Sequence, residues 1–178
     1  MDYTLDDALA LGPSRGHHYR RVPQGAKLGP LAARLGEPAV WHVALKLAAP
    51  PSADALLGRL TGERDVAAWA MAQQVGDARV ATCVISTYGL DWHVAVVHEA
   101  NFSLARHVEA VDHLANAVFR ARPEANEVWT ALPVPEPDGA EESLAALGFT
   151  HVPSELDRGT RRTYGLFRDV WTAYRQPG

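Results

Sequence analysis

Cysteine is nearly absent from this chain of 178 residues: Cys83 is the single one. An internal disulfide is therefore excluded, and no CxxC pair exists to hold zinc. No apolar run approaches the ~18 residues that a membrane span needs. Lysine is scarce as well, with only Lys27 and Lys46, and the formal net charge is −4. The strongly basic surface of a nonspecific nucleic-acid binder is missing, which argues against such a partner. A signal peptide would be basic at its start, where this chain carries Asp2, Asp6 and Asp7. These absences predict a cytoplasmic protein with no membrane contact. What is present, 47% hydrophobic and 21% charged residues, suits a core that needs no covalent staple. The expectation is one domain over residues 1–178, with 1–14 as a loosely held lead-in.

The pattern along the chain alternates between the two periodicities. His18–Pro23 reads as a short strand, and Lys27–Leu35 as a short helix ended by Gly36 and Pro38. Val40–Leu47 fits strand and helix equally. Ser52 is a suitable N-cap for a helix whose stripe of Leu56, Leu57 and Leu60 runs to Gly62. Asp65–Gln74, Ala78–Thr87 and Trp92–His98 read as an antiparallel meander, with turns at Val75-Gly76-Asp77 and Tyr88-Gly89-Leu90-Asp91. The clearest helix follows: Leu104, Val108, Val111, Ala115 and Val118 share one face, opposite Glu109, Asp112, Asn116 and Arg120, until Pro123. Glu127–Val134 reads as a strand. Asp138-x-x-Glu141 has the form of a capping box opening a short helix that Gly148 closes. His151–Leu156 and Thr163–Arg168 make a closing hairpin.

Two of these segments are familiar. Val108-Glu-Ala-Val-Asp-His-Leu-Ala-Asn-Ala-Val-Phe119 is similar to the helix after the coenzyme loop in ribosomal-protein-alanine acetyltransferases. Leu144-Ala-Ala-Leu-Gly-Phe149 is similar to the "LEKLGF" end of their last helix. Gly36–Trp41, Pro50-Pro51-Ser52 and the Trp69 strand stand where that branch has counterparts. With the element order, the chain resembles the GNAT superfamily of N-acetyltransferases, roughly from His18 to Arg175. The resemblance implies a mixed α/β (α+β) fold with a mostly antiparallel central sheet flanked by helices. It also implies that Trp92–His98 and Glu127–Val134 are neighbours with a splay between them.

The resemblance further implies where acetyl-CoA, or another acyl-CoA, would bind. The family's (Arg/Gln)-x-x-Gly-x-(Gly/Ala) loop falls on Ala100, Asn101, Phe102, Ser103, Leu104 and Ala105, with Arg106 and Val97 beside it. Ala100 stands for the usual Arg or Gln and Ser103 for the first glycine, while Ala105 fits. Such a loop works by presenting backbone N–H groups and a helix N-terminus to the pyrophosphate. Val97 would offer a backbone N–H to the thioester oxygen. His98 and Glu99 are the candidate catalytic pair, because an amine nucleophile must lose a proton near working pH. The tyrosine that protonates the departing thiolate in many relatives is replaced by Leu144. The alternative Asn-x-x-Ser pattern meets Pro137 and Ala140.

The remaining candidates read as structural. Cys83 lies in an apolar strand without a neighbouring histidine, as an inert buried thiol does. His93 and His98 face opposite sides of a strand, and His107 and His113 do not share a helix face, so no metal is expected. Trp41 and Trp92 are candidates for the wall of an acceptor pocket. Two functions follow. One is an acyl-CoA-dependent N-acyltransferase carrying acetyl to a primary amine of a small molecule or protein. The other is a catalytically silent GNAT-fold module that binds a ligand or protein. A homodimer is left open.

Overall fold

The computed structural model describes residues 17–21, 66–73, 79–88, 90–98, 101–153 and 161–175. The expected helices at Lys27–Leu35 and Ser52–Gly62, the segment Val40–Leu47, the turn at Val75–Asp77 and the lead-in 1–14 lie outside these residues.

Among the described residues seven strands form one sheet: β1 (His17–Arg21), β2 (Val66–Gln73), β3 (Arg79–Tyr88), β4 (Asp91–His98), β5 (Glu127–Pro133), β6 (Thr150–His151) and β7 (Arg161–Phe167). Their order is β1-β2-β3-β4-β5-β7-β6. Every neighbouring pair is antiparallel except β4 and β5, which run parallel. The mostly antiparallel sheet and the meander of β2, β3 and β4 are as expected. In β3 and β4 the β-branched residues suit the pleated surface. The register pairs Cys83 with Val96 and Ile85 with Val94, so these four side chains share one face of the sheet.

That face is covered by α1 (Leu104–Ala121), whose His107, Ala110, Val111, Leu114 and Val118 are buried. Each aliphatic side chain as large as valine or leucine contributes about 1.5–3 kcal/mol when fully withdrawn from water. Of the C-terminal carbonyls of α1, which a helix leaves unsatisfied, that of Phe119 is taken by an arginine side chain that also collects two carbonyls just past the helix. The Arg168 guanidinium donates to Phe119 O at 3.2 Å, to Arg122 O, and through Nε to Ala125 O at 2.6 Å. It also lies 4.8 Å from the Phe119 ring centroid.

The short helix α2 (Ala140–Ala145) departs from the expected capping box. Its N-cap is Gly139 at φ 78°, with no side-chain hydrogen bond, rather than Asp138. Its far end follows the sequence closely. Gly148 takes φ 92°, Phe149 N–H donates to Leu144 O at 3.1 Å, and Gly148 N–H donates to Ala145 O at 2.9 Å. This is the Schellman arrangement that a left-handed glycine permits. It drops Phe149 into the core beside Leu144. A third helix, α3 (Arg168–Arg175), was not anticipated, and Arg168 starts it rather than ending β7. It lies along α1, where Trp171 Nε1 donates to Asn116 Oδ1 at 2.8 Å and Arg175 pairs with Asp112. No helix among the described residues is long and apolar enough to cross a membrane.

Candidate active site

The parallel ladder between β4 and β5 holds three pairs, Asp91↔Glu127, Trp92↔Val128 and His93↔Trp129, and then stops. At the next step the gap is spanned by a side chain: Thr130 Oγ1 donates to Val94 O at 2.8 Å. Beyond it the strands diverge without pairing, which is the expected splay. Because Val94 turns its backbone groups toward β5, strand alternation directs those of Val96 and His98 the same way. Val97 lies opposite Thr82 of β3, so alternation sends its N–H toward β3. By alternation the N–H facing the opening is that of Val96, next to Val97.

The open end of this cleft meets the N-terminus of α1, since only five residues separate β4 from the helix. Ser103 caps that end in extended conformation, φ −128° and ψ 114°, its Oγ accepting from Arg106 N–H at 3.3 Å. His107 N–H donates to Ser103 O at 2.9 Å. No acidic side chain occupies the first turn, so nothing within that turn offsets the positive pole of the helix. Arg106 adds a full charge there, and its Nε is shielded from solvent without a hydrogen bond among the described residues. Phe102 is 41% exposed at the lip, and Asn101 and Ala105 are exposed beside it. Ser103, Phe102, Asn101, Ala105 and Arg106 are thus brought together. Glu99 and Ala100 lie outside the described residues.

His98 points to the α1 side and is buried, at 6% exposure. Its ring packs 4.9 Å from Phe102 and 6.0 Å from His107, centroid to centroid. His107 Nε2 lies 3.3 Å from Thr130 Oγ1. The Thr130 hydroxyl has already given its proton to Val94 O, so His107 is the donor in this contact and carries its proton on Nε2. From the sequence His107 is weighed only as a metal ligand, and Thr130 is not singled out. Their pairing depends on α1 folding back over β5, which no local pattern reveals.

Leu144, on α2, is fully buried. Tyr164, which pairs with Thr130 across β7 and β5, donates its phenol proton to Glu136 Oε1 at 2.6 Å. Arg162 Nη1 holds the other oxygen of Glu136 at 3.2 Å. Burial, and then the bond to Glu136, push the Tyr164 phenol above its ordinary value. Burial alone pushes the Cys83 thiol up to about 12, which removes it from nucleophilic chemistry. Trp92, a sequence candidate for an acceptor wall, is buried at the closed end of the junction, with the Arg122 guanidinium 6.0 Å from its ring. Trp41 lies outside the described residues. Among the described residues no group of three His, Cys, Asp or Glu is placed to hold a metal ion.

No protein-family model and no curated protein matches the sequence. Solved structures do match. The aminoglycoside acetyltransferase AAC(6')-Ib, in complex with coenzyme A and kanamycin, superposes with a TM-score of 0.57 at 12% identity, covering 90% of this chain and 99% of that one. A GNAT-family acetyltransferase from Bacillus anthracis gives 0.56 at 8% identity, over 88% of this chain and 98% of that one. The fold is that of the GNAT acetyltransferases. The ribosomal-protein-S5-alanine acetyltransferase from Vibrio fischeri also shares it, at a TM-score of 0.54 and 13% identity over 93% of this chain and 98% of that one. At such identities the likeness is one of GNAT fold. The splay between β4 and β5 and the capped start of α1 are observed directly in this chain.

Proposed function

We propose that this chain is an acyl-CoA-dependent N-acyltransferase, transferring acetyl or another acyl group to a primary amine of a small molecule or protein. The observation that carries the reading is the splayed junction of β4 and β5 with the Ser103-capped N-terminus of α1, free of acidic side chains in its first turn, at its open end. A thioester donor fits this arrangement chemically. Its phosphates would meet the first-turn N–H groups and Arg106, and its amide-bearing arm would lie against the unpaired edge of β4. The Val96 N–H is the donor that would meet negative charge developing on the thioester oxygen. His98 and Glu99, at the end of β4, are the residues proposed to take the proton of the incoming ammonium. The acyl carbon exchanges its bond to sulfur for one to the amine nitrogen, and the thiolate leaves. The chain's Leu-Gly-Phe end and its Val108–Phe119 helix support a place near the ribosomal-protein-alanine branch.

One observation favours a second reading, a binding module without transfer: buried Leu144 has no proton to give, and Tyr164 is committed to Glu136. Calorimetric titration with acetyl-CoA, followed by a transfer assay on a panel of small amines and peptide N-termini, separates the readings. Binding with transfer supports the enzyme, and binding without transfer the module. Absence of binding removes both in their acyl-CoA form.

A further inference from the structure

The vertex of the cleft is closed by a device that the pairing of two strands does not require. Thr130 and His107 are both buried, at 0% and 3% exposure. The Thr130 hydroxyl stands where a fourth rung of the β4–β5 ladder would be, donating to Val94 O at 2.8 Å. His107, one turn into α1, fixes that rotamer from above at 3.3 Å. The same His107 makes the first backbone bond of the capped helix start, to Ser103 O. From Val94 to His98 the cleft runs about 13 Å along β4, at roughly 3.3 Å per residue.

The direction of a donor in this cleft follows from charge. Its phosphates are held at the open end by the α1 N-terminus, so its thioester end points toward the vertex. We propose that Thr130, pinned by His107, is the end stop of the cleft and sets the length of acyl group the protein accepts, favouring a short one. This inference rests on the acyl-CoA reading above and deepens it. An acyl chain that extends past the stop must displace the Thr130 side chain, breaking its bonds to Val94 O and His107 and leaving a buried carbonyl unpaired. The pin also gives His107 a positioning role, since it holds a stop that it does not itself form.

The test measures dissociation constants of acetyl-, butanoyl- and hexanoyl-CoA for the full chain by calorimetry, so that it does not depend on turnover. The wild type is expected to bind acetyl-CoA more tightly than the longer esters. Thr130→Ala should cut that preference about tenfold or more, the scale on which one methylene is discriminated in an apolar pocket. Thr130→Ser, which keeps the hydroxyl and loses only a methyl, should cut it partly and guards against misfolding of the alanine variant. His107→Ala should relax the preference with Thr130 still in place, and His107→Gln, which retains an N–H donor, should restore much of it. General destabilisation would weaken all three ligands alike and leave their ratio unmoved. Wild-type binding that ignores chain length, or variants that keep the wild-type ratio, would overturn the inference while leaving the acyl-CoA reading intact. No binding of any ester overturns both.

Discussion

Ser103 shows how one residue changes the meaning of a motif. It stands where the related loops have a glycine, yet its backbone is extended at φ −128°, a region open to any residue. The freedom of glycine is therefore not needed, and serine adds the cap on Arg106 N–H. Ser103→Ala should cost about 1 kcal/mol, the usual worth of an N-cap, and lower the melting temperature by roughly 2–4 °C in a domain of this size. Ser103→Phe should in addition weaken acetyl-CoA binding, read by calorimetry, because a ring there crowds the first-turn N–H groups. Unchanged affinity would take this turn out of the site. Glu127 offers a second residue-scale prediction. Burial, and then neighbouring Asp91, raise its carboxyl above the ordinary range. A carboxyl raised on folding adds stability only while protonated, and that contribution is lost as pH rises through its folded value. Glu127→Gln should thus melt above the wild type near pH 7, with the gap closing toward about pH 4 as the unfolded-state carboxyl protonates. An equal gap at both pH values would contradict this.

At the scale of elements, the end of α2 explains why a three-residue signature was legible in the sequence. Leu147-Gly148-Phe149 encodes a left-handed turn that ends a helix and returns an aromatic side chain to the core. Gly148→Ala should be costly on two counts. Its φ of 92° strains any side chain, and a Cβ there would stand 3.0 Å from Val170 Cγ1 and 3.2 Å from Leu166 Cδ1. A loss of about 1–2 kcal/mol is expected from the left-handed backbone alone, measured by denaturant unfolding. A loss below half of that would mean the turn relaxes into another form. The α1 stripe was equally legible, because its period is local. The third helix was not. None of Arg168–Arg175 is fully buried, only Val170 and Trp171 pack partly buried against the core, and its docking also uses Asn116, Asp112 and the Phe119 carbonyl of α1. Gly139 likewise displaced Asp138 as the cap of α2 because the chain enters that helix in a left-handed turn.

At the scale of the whole molecule, the proposed transfer would depend on what three separate elements bring to one cleft. The splay was legible only through the resemblance to the GNAT superfamily, which implied that Trp92–His98 and Glu127–Val134 are neighbours that part. The contents of the cleft were not, since Thr130, His107 and Tyr164 meet only through tertiary packing. Leu144 faces the core with no exposed surface. A tyrosine there would overpack its neighbours at a cost of about 1–3 kcal/mol, and it is not expected to restore an acid. Among the described residues the phenol beside Thr130 is that of Tyr164, but it donates to Glu136 and its proton is held more firmly than usual. The departing thiolate is therefore expected to leave without a protein proton, at a rate about 10²–10⁴-fold below that of an enzyme with a positioned acid. Such a reaction has a characteristic pH profile. The rate should climb as the acceptor amine and the His98–Glu99 segment lose protons, and then level off. It should show no falling limb up to about pH 10, where an acid of ordinary phenol strength would begin to ionise. Steady-state transfer from acetyl-CoA between about pH 6 and 10 checks this, with Tyr164→Phe as the control. Because burial and Glu136 raise the Tyr164 phenol, its own ionisation would lie above this range, so the plateau rate decides its role. A Tyr164→Phe plateau about 10²-fold or more below the wild type would make Tyr164 the missing acid.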